Sequence, residues 1–335
     1  MNSRHTWRTS DRKILASSGC RILGALLALA VTAVCGAQES SSVAGRVVKP
    51  GGDSVVAVRD AWVTLHRVGT DHAGPLDSTR TGDTGHYAFT YKRTGATDAI
   101  YFVSSSHEGV AYFSQPLNAG RESGGDGEIV VFDTTSRPVP MTVRGRHLIV
   151  SRPASDGART VTEVFELSND SSVTRVAPND SPGGAVWSSI IPTDANGPVV
   201  ADGDIPAAAV RFVGARALVY APFAPGMKQL AFHYDLPADA FPLKVPLEHG
   251  AAVLEVLVED PTASASGARL RAVAPVALEG HDFRRYLASD VPKNAVAIVT
   301  VPEVKQPPAL LFVAGLTLLI GGAMTVTLAR ALRRR

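Results

Sequence analysis

The sequence predicts an all-β chain: two tandem antiparallel β-sandwich domains plus a C-terminal transmembrane helix. Three observations lead there. Short alternating apolar runs, bounded by Gly, Pro, Asn and Asp, recur from residue 43 to about 301. No long stretch of helical spacing interrupts them, which favours antiparallel sandwiches over a parallel α/β sheet. A single uncharged segment then lies close to the C-terminus, Ala309 to Ala329.

The N-terminal residues read as an export signal. Arg4, Arg8, Arg12, Lys13 and Arg21 stand against one acid, Asp11, and Ile22 to Val34 is an apolar run too short to span a bilayer. Small residues follow at Cys35-Gly36-Ala37, so residues 1–37 are expected to be a signal peptide cut after Ala37. Lipid attachment at Cys35 is the alternative, although Val34 precedes it where a lipoprotein signal usually has Gly or Ala.

Composition narrows the function classes. The net charge of +2 comes from the termini: without the five basic residues and one acid of the leader, and four arginines of the tail, 24 basic residues face 30 acids, near −6. That balance argues against a nucleic-acid partner. Both cysteines, Cys20 and Cys35, precede the expected cut, which excludes disulfides, thiolate zinc sites and cysteine nucleophiles from the mature chain.

The first domain is expected over residues 43–118. Ser42 to Val48 reads as a strand, followed by the turn Pro50-Gly51-Gly52-Asp53. In the next strand Ala61, Val63 and Leu65 share the core face, while Trp62, Thr64 and His66 share the other. Thr81-Gly82-Asp83-Thr84-Gly85 is a turn rich in residues that tolerate positive φ, and His86 to Tyr91 places Tyr87, Phe89 and Tyr91 on one face. Ile100 to Val103 and Val110 to Phe113 complete the set.

The residues Val43-Ala44-Gly45-Arg46-Val47-Val48, Asp60-Ala61-Trp62-Val63-Thr64-Leu65 and Thr81-Gly82-Asp83-Thr84-Gly85-His86-Tyr87-Ala88-Phe89 together resemble the carboxypeptidase regulatory-like domains. The resemblance covers about 75 residues, from 43 to roughly 118, and implies a small prealbumin-type β-sandwich. Val68 to Ser78 is an insertion where that family is usually shorter. The matched positions are core and turn positions, so the resemblance implies a fold and no activity.

A polar, Gly-rich linker and a connecting strand are expected over residues 119–137, and a second sandwich-like domain over 138–302. Its strands are expected at His147 to Ser151, Val161 to Leu167, Ala185 to Ile191, Ala217 to Tyr220, Gln229 to Tyr234, Ala251 to Val258 and Ala295 to Val301. His281 to Leu287 is ambiguous in pattern, and one short helical turn is among its readings.

Residues 309–329 match a hydrocarbon core, about 30 Å as a helix. Leu310, Leu311 and Phe312 are part of its apolar surface, and Gly315, Gly321 and Gly322 offer a small-residue face. Arg330, Arg333, Arg334 and Arg335 set the topology, leaving tail 330–335 in the cytoplasm and the bulk on the extracytoplasmic, periplasmic side.

No catalytic constellation is visible. Nine histidines include His66, His72, His86 and His107 in the first domain, but none has metal-ligand spacing, and no His is followed three residues on by Glu. Asp202-Gly203-Asp204 and Gly125-Asp126-Gly127-Glu128 lack the ligand spacing of a calcium loop and read as polar turns. There is no Gly-x-Ser-x-Gly elbow and no phosphate-binding Gly-rich loop, and the sole Ser-x-x-Lys lies in the leader. Catalytic residues, metal and cofactor are therefore each expected to be none.

Trp62 is the candidate binding residue: pointing outward, it offers a platform for a sugar ring or a partner loop, unless the second domain or the 68–78 insertion covers it. The expected function is a non-enzymatic, membrane-anchored binding or scaffold protein of the cell envelope, with protein partners in an envelope complex or a carbohydrate. Two alternatives stand. One is an envelope hydrolase or hydrolase subunit whose carboxylates meet only in the folded second domain; the other is an assembly or maturation factor for a membrane complex.

Overall fold

The computed structural model describes residues 40–117, 127–278 and 280–301. The expected leader, the anchor 309–329 and the arginine tail lie outside the described residues. Among the described residues no helix is long and apolar enough to cross a membrane.

The chain is all-β, with several sheets and, among the described residues, only three short 3-10 turns beside them. Its first strands are β1 (Ser40–Gly51), β2 (Ser54–Ala57), β3 (Trp62–Val68), β4 (Ala73–Arg80), β5 (His86–Lys92), β6 (Ile100–His107), β7 (Val110–Phe113) and β8 (Ile129–Val130). One sheet has the order β2-β1-β5 with β8 parallel to β1, and the other has the order β4-β3-β6-β7.

Strict alternation explains the core between these sheets. Val63 and Leu65 of β3 are sealed at 0% exposure, as Val103 of β6 is, and they meet Val43, Val47, Tyr87, Phe89 and Tyr91 from the other sheet. Gly85 closes the β4–β5 connection at φ 76°, and a Cβ there would lie 2.7 Å from Val47 O. Only glycine meets both conditions without strain.

The 68–78 insertion has become part of the sheet. Its second half forms β4, antiparallel to β3 across a bulge at Leu65/His66, and Pro75 is accommodated because β4 is an edge strand. The loop between them is held by Arg67, 2% exposed, whose guanidinium donates to Asp71 Oδ1 at 2.7 Å, His72 O at 2.8 Å and Thr94 O at 2.9 Å.

The remaining strands are β9 (Thr134–Thr135), β10 (Met141–Val150), β11 (Arg159–Asn169), β12 (Thr174–Arg175), β13 (Trp187–Ile190), β14 (Asn196–Val200), β15 (Val210–Val213) and β16 (Arg216–Val219). After them come β17 (Gly226–Leu236), β18 (Leu243–Leu247), β19 (Ala251–Val258), β20 (Ser264–Gly267), β21 (Arg271–Leu278), β22 (His281–Val291) and β23 (Ala295–Thr300). A seven-stranded sheet runs β14-β17-β11-β10-β19-β22-β21. Two three-stranded sheets, β13-β16-β15 and β18-β23-β20, contribute Trp187, Val219, Leu243 and Val299 to the core it shares.

Two expectations are corrected here. The large sheet is mixed, because β10 and β19 pair in parallel from Gly145↔Val253 to Val150↔Val258. A parallel neighbour requires a long crossover, and here the connection carries β11 to β18 in place of a helix. His281 to Leu287 is no helical turn: Phe283, Tyr286 and Leu287 have helical spacing, but pairing with β19 on one side and β21 on the other makes the segment a strand. Backbone pairing partners remote in sequence override local spacing.

The two cores meet through the 132–135 and 174–176 segments. The Tyr112 hydroxyl donates to Phe132 O at 3.0 Å and shares a 2.7 Å hydrogen bond with Thr174 Oγ1. β9 and β12 pair in parallel, and Val176 and Ala224 pack against the core of the first sheets.

Candidate functional site

Two surface features stand out as places to bind something: an aromatic face on the β4-β3-β6-β7 sheet and a cleft beside β12 and β13. The face is built by alternation. With Val63, Leu65, Tyr101 and Val103 turned inward, Trp62, Thr64, His66, Phe102 and Ser104 are turned outward, and register places His66 opposite Phe102 and Ser104 opposite Phe113.

Trp62 is 50% exposed, and Phe113, on the edge strand β7, is 60% exposed. The His66 ring stacks on Phe102 at 5.1 Å, and Phe102 meets Phe113 edge-on at 5.8 Å. His66 Nε2 bonds Ser104 Oγ at 2.8 Å, and partial burial lowers the imidazole pKa, which favours the uncharged ring. Arg80, at one end, lies over the Trp62 ring at 5.2 Å. The inserted strand therefore borders Trp62 without covering it.

The cleft, about 580 Å³, falls within the size range of small-molecule sites. Trp187, Met141, Val186 and Leu218 line it with apolar surface, and Arg175, Ser188, Arg216 and His249 bring polar groups. The Trp187 indole is fixed by Phe165 at 5.0 Å and by the His249 ring at 5.6 Å. His249 Nε2 donates to Ser188 O at 2.7 Å, while Arg216 Nη2 donates to Ser188 Oγ at 2.7 Å and to Glu248 Oε2 at 2.9 Å. These residues lie on separate strands and loops, which is why spacing along the chain did not reveal them.

The carboxylates of the 138–301 segment bear on the hydrolase alternative. Glu163, fully buried, accepts Arg146 Nη2 at 2.6 Å and the Tyr234 hydroxyl at 2.8 Å. Glu255 is partly desolvated, which raises its pKa, but hydrogen bonds from His147 at 2.6 Å and Arg285 at 2.6 Å outweigh that and lower it. Burial likewise works against ionised Glu259 and Asp260, and bonds from Arg152 and His281 to the first, and from Thr262 and Arg159 to the second, leave both lowered. For Glu255, Glu259 and Asp260 the direction is opposite to the raised pKa that a general acid requires.

Two acids of the polar clusters read from sequence, Asp204 and Glu128, have structural partners as well. Asp204 Oδ2 accepts Gln229 N at 2.8 Å, and Glu128 pairs with Arg46 at 3.2 Å. A further group escaped the sequence: ligand-type atoms of His107, Glu108 and Asp133 lie within 4.8 Å of one another. Lys49 Nζ already occupies Asp133 at 2.8 Å, and Glu108 accepts Thr134 N at 2.6 Å and Thr134 Oγ1 at 3.0 Å. The Glu108 bonds fasten the β6–β7 hairpin to β9, and the Lys49 bond ties Asp133 to β1.

No protein-family model and no curated protein matches the chain. Among solved structures, a Parabacteroides distasonis chain described as a "putative protease" is similar at TM-score 0.33 and 11% identity. The similarity covers 48% of this chain and 40% of that one, so less than half of that protein is represented. Likeness at this level defines neither a fold family nor an activity.

Proposed function

We propose that this chain is a non-enzymatic binding or scaffold protein, made of two tandem β-sandwiches held outside the cytoplasmic membrane by the 309–329 segment. The observation that carries the reading is the open aromatic face. Trp62 and Phe113 stand at half exposure or more on the outer side of this sheet, and His66 and Phe102 join Phe113 in one run of adjoining rings. Aromatic rings with a flanking Arg are the residue types that dominate contact energy at protein interfaces. The partner is therefore another protein of an envelope complex, seated against β3, β6 and β7. The ion-paired, low-pKa carboxylates support binding over hydrolysis.

A photo-crosslinking residue placed at Phe113 in the full-length chain, irradiated in intact cells, tests this. One discrete adduct at Phe113 that is absent with the same residue at Val273, 39% exposed on β21, is the expected result. Identical background labelling at both positions would remove the proposal, and transfer to glycan alone would replace the protein partner with a carbohydrate.

A further inference from the structure

Arg175 is an unusual residue to find in the cleft wall. It is only 7% exposed, yet among the described residues no carboxylate forms an ion pair with it. Its backbone is clamped on both sides: Arg175 N donates to Phe223 O at 3.0 Å, Phe223 N returns to Arg175 O at 2.8 Å, and β9 pairs alongside. Asn169 Nδ2 donates to Phe223 O at 2.9 Å and Val173 O at 2.8 Å, so the mount is rigid.

The guanidinium itself is far less satisfied than its backbone. Nη1 donates to Val176 O at 2.6 Å, while Nε and Nη2 make no hydrogen bond in the described chain. Neither is among the atoms sealed from solvent without a partner, so these donors face space that water reaches, and the space Arg175 borders is the cleft. Burial already works against its charge, lowering its pKa. A cation so placed is stabilised by an anion that arrives from outside the chain.

The rest of the lining defines that anion. Arg216 and His249 both lie within 4 Å of the Glu248 carboxylate, so Arg175 is the cation of the lining that has no carboxylate beside it. A single free guanidinium fork matches a monoanion such as a carboxylate better than a phosphate dianion, and Trp187, Met141 and Leu218 offer apolar surface beside it. We infer that the cleft beside β12 and β13 is a binding site for a monocarboxylate with an apolar body, its carboxylate on Arg175 and its body against Trp187. This site is separate from the aromatic face and independent of the function proposed for it.

The test uses the full-length protein in detergent with Trp62→Phe, so that Trp187 dominates the fluorescence of the folded part. Phenylacetate, octanoate and N-acetyl-phenylalanine are titrated, each beside its uncharged amide. The expected result is saturable quenching by at least one carboxylate, with affinity at least about tenfold above its amide, as a charge-assisted bidentate contact requires. Preference for N-acetyl-phenylalanine would indicate a peptide C-terminus as the source of the group, and preference for the others a free acid.

Arg175→Gln should abolish the difference between acid and amide, whereas Arg216→Gln should change it less than threefold. Should Arg175→Gln fail to fold, Val213→Trp at the exposed cleft rim is the second variant and should weaken all ligands by at least about tenfold. Equal binding of acids and amides, or no saturable signal from any acid up to about 10 mM, where affinity is below about 3 kcal/mol, would overturn the inference.

Discussion

Removing the charge of Glu163 should be among the most costly single changes in the chain. Its carboxylate is fully buried and receives Arg146 Nε at 3.0 Å, Arg146 Nη2 at 2.6 Å and the Tyr234 hydroxyl at 2.8 Å. Glu163→Gln keeps an amide oxygen that can accept from Arg146, 3% exposed, but removes the carboxylate paired with it, leaving Pro246 O at 2.9 Å and the Phe165 ring at 4.8 Å as its other, uncharged partners. An uncompensated buried charge of this kind costs about 3–5 kcal/mol.

The assay is urea unfolding of the full chain in detergent, followed by Trp fluorescence. Trp62 lies on the first sheets and Trp187 in the core that holds Glu163, so Trp62→Phe isolates the relevant transition. Replacing the whole group, Arg146→Met with Glu163→Leu and Tyr234→Phe, should recover most of the loss, since apolar side chains of similar volume often match a buried pair. A loss below about 1 kcal/mol for Glu163→Gln, or a triple variant no more stable than the single one, would refute the reasoning.

Further outcomes follow from the same contacts. Leu65→Ala opens a cavity between the first two sheets and should cost about 2–5 kcal/mol in the transition read by Trp62, leaving that of Trp187 unmoved. Gly85→Ala, at φ 76° against Val47 O, should destabilise by more than about 1 kcal/mol, while Gly82→Ala, with open space around it, stays within about 0.5 kcal/mol; thermal melts compare the two. Asn169→Ala removes both donors to Val173 O and Phe223 O and should cost about 1–3 kcal/mol by urea titration.

The pH dependence has a definite sign. Asp133, Asp170, Glu255, Glu259 and Asp260 are all lowered in the folded chain, so the unfolded chain binds more protons in acid. Their contribution is fully present above the ordinary carboxylate range near pH 4 and is lost as pH falls through the folded values. Urea midpoints should therefore fall steeply below about pH 4; a midpoint that rises in acid would contradict the ion-pair assignments.

Strand existence was legible where alternation was clean. The Trp62–Val68 and His86–Lys92 strands show buried and exposed faces in the order that simple alternation requires, and Val110–Phe113 and Ala251–Val258 have the expected bounds. Short or polar strands such as Asn196–Val200 and Ser264–Gly267 gave no such signal, because neither carries a two-residue apolar period. Trp62 was recognised as outward-facing from the same period, but its neighbours Phe102 and Phe113 join it only through pairing across three strands. Arg175 was invisible in the sequence, since one arginine among many shows neither its burial nor the lack of a carboxylate beside it among the described residues.

Residue order along this chain determined the all-β class and the inward or outward sense of each clean strand, because alternation is a local consequence of the pleat. It also carried the composition that leaves no cysteine after residue 35. Tertiary structure alone decided the parallel pairing of β10 with β19, the pairing of Arg146 with Glu163, and the meeting of Arg175 with Trp187 in one cleft. Each joins residues distant in the chain, and such contacts are selected by the burial and hydrogen bonding of the whole fold, not by any window of sequence.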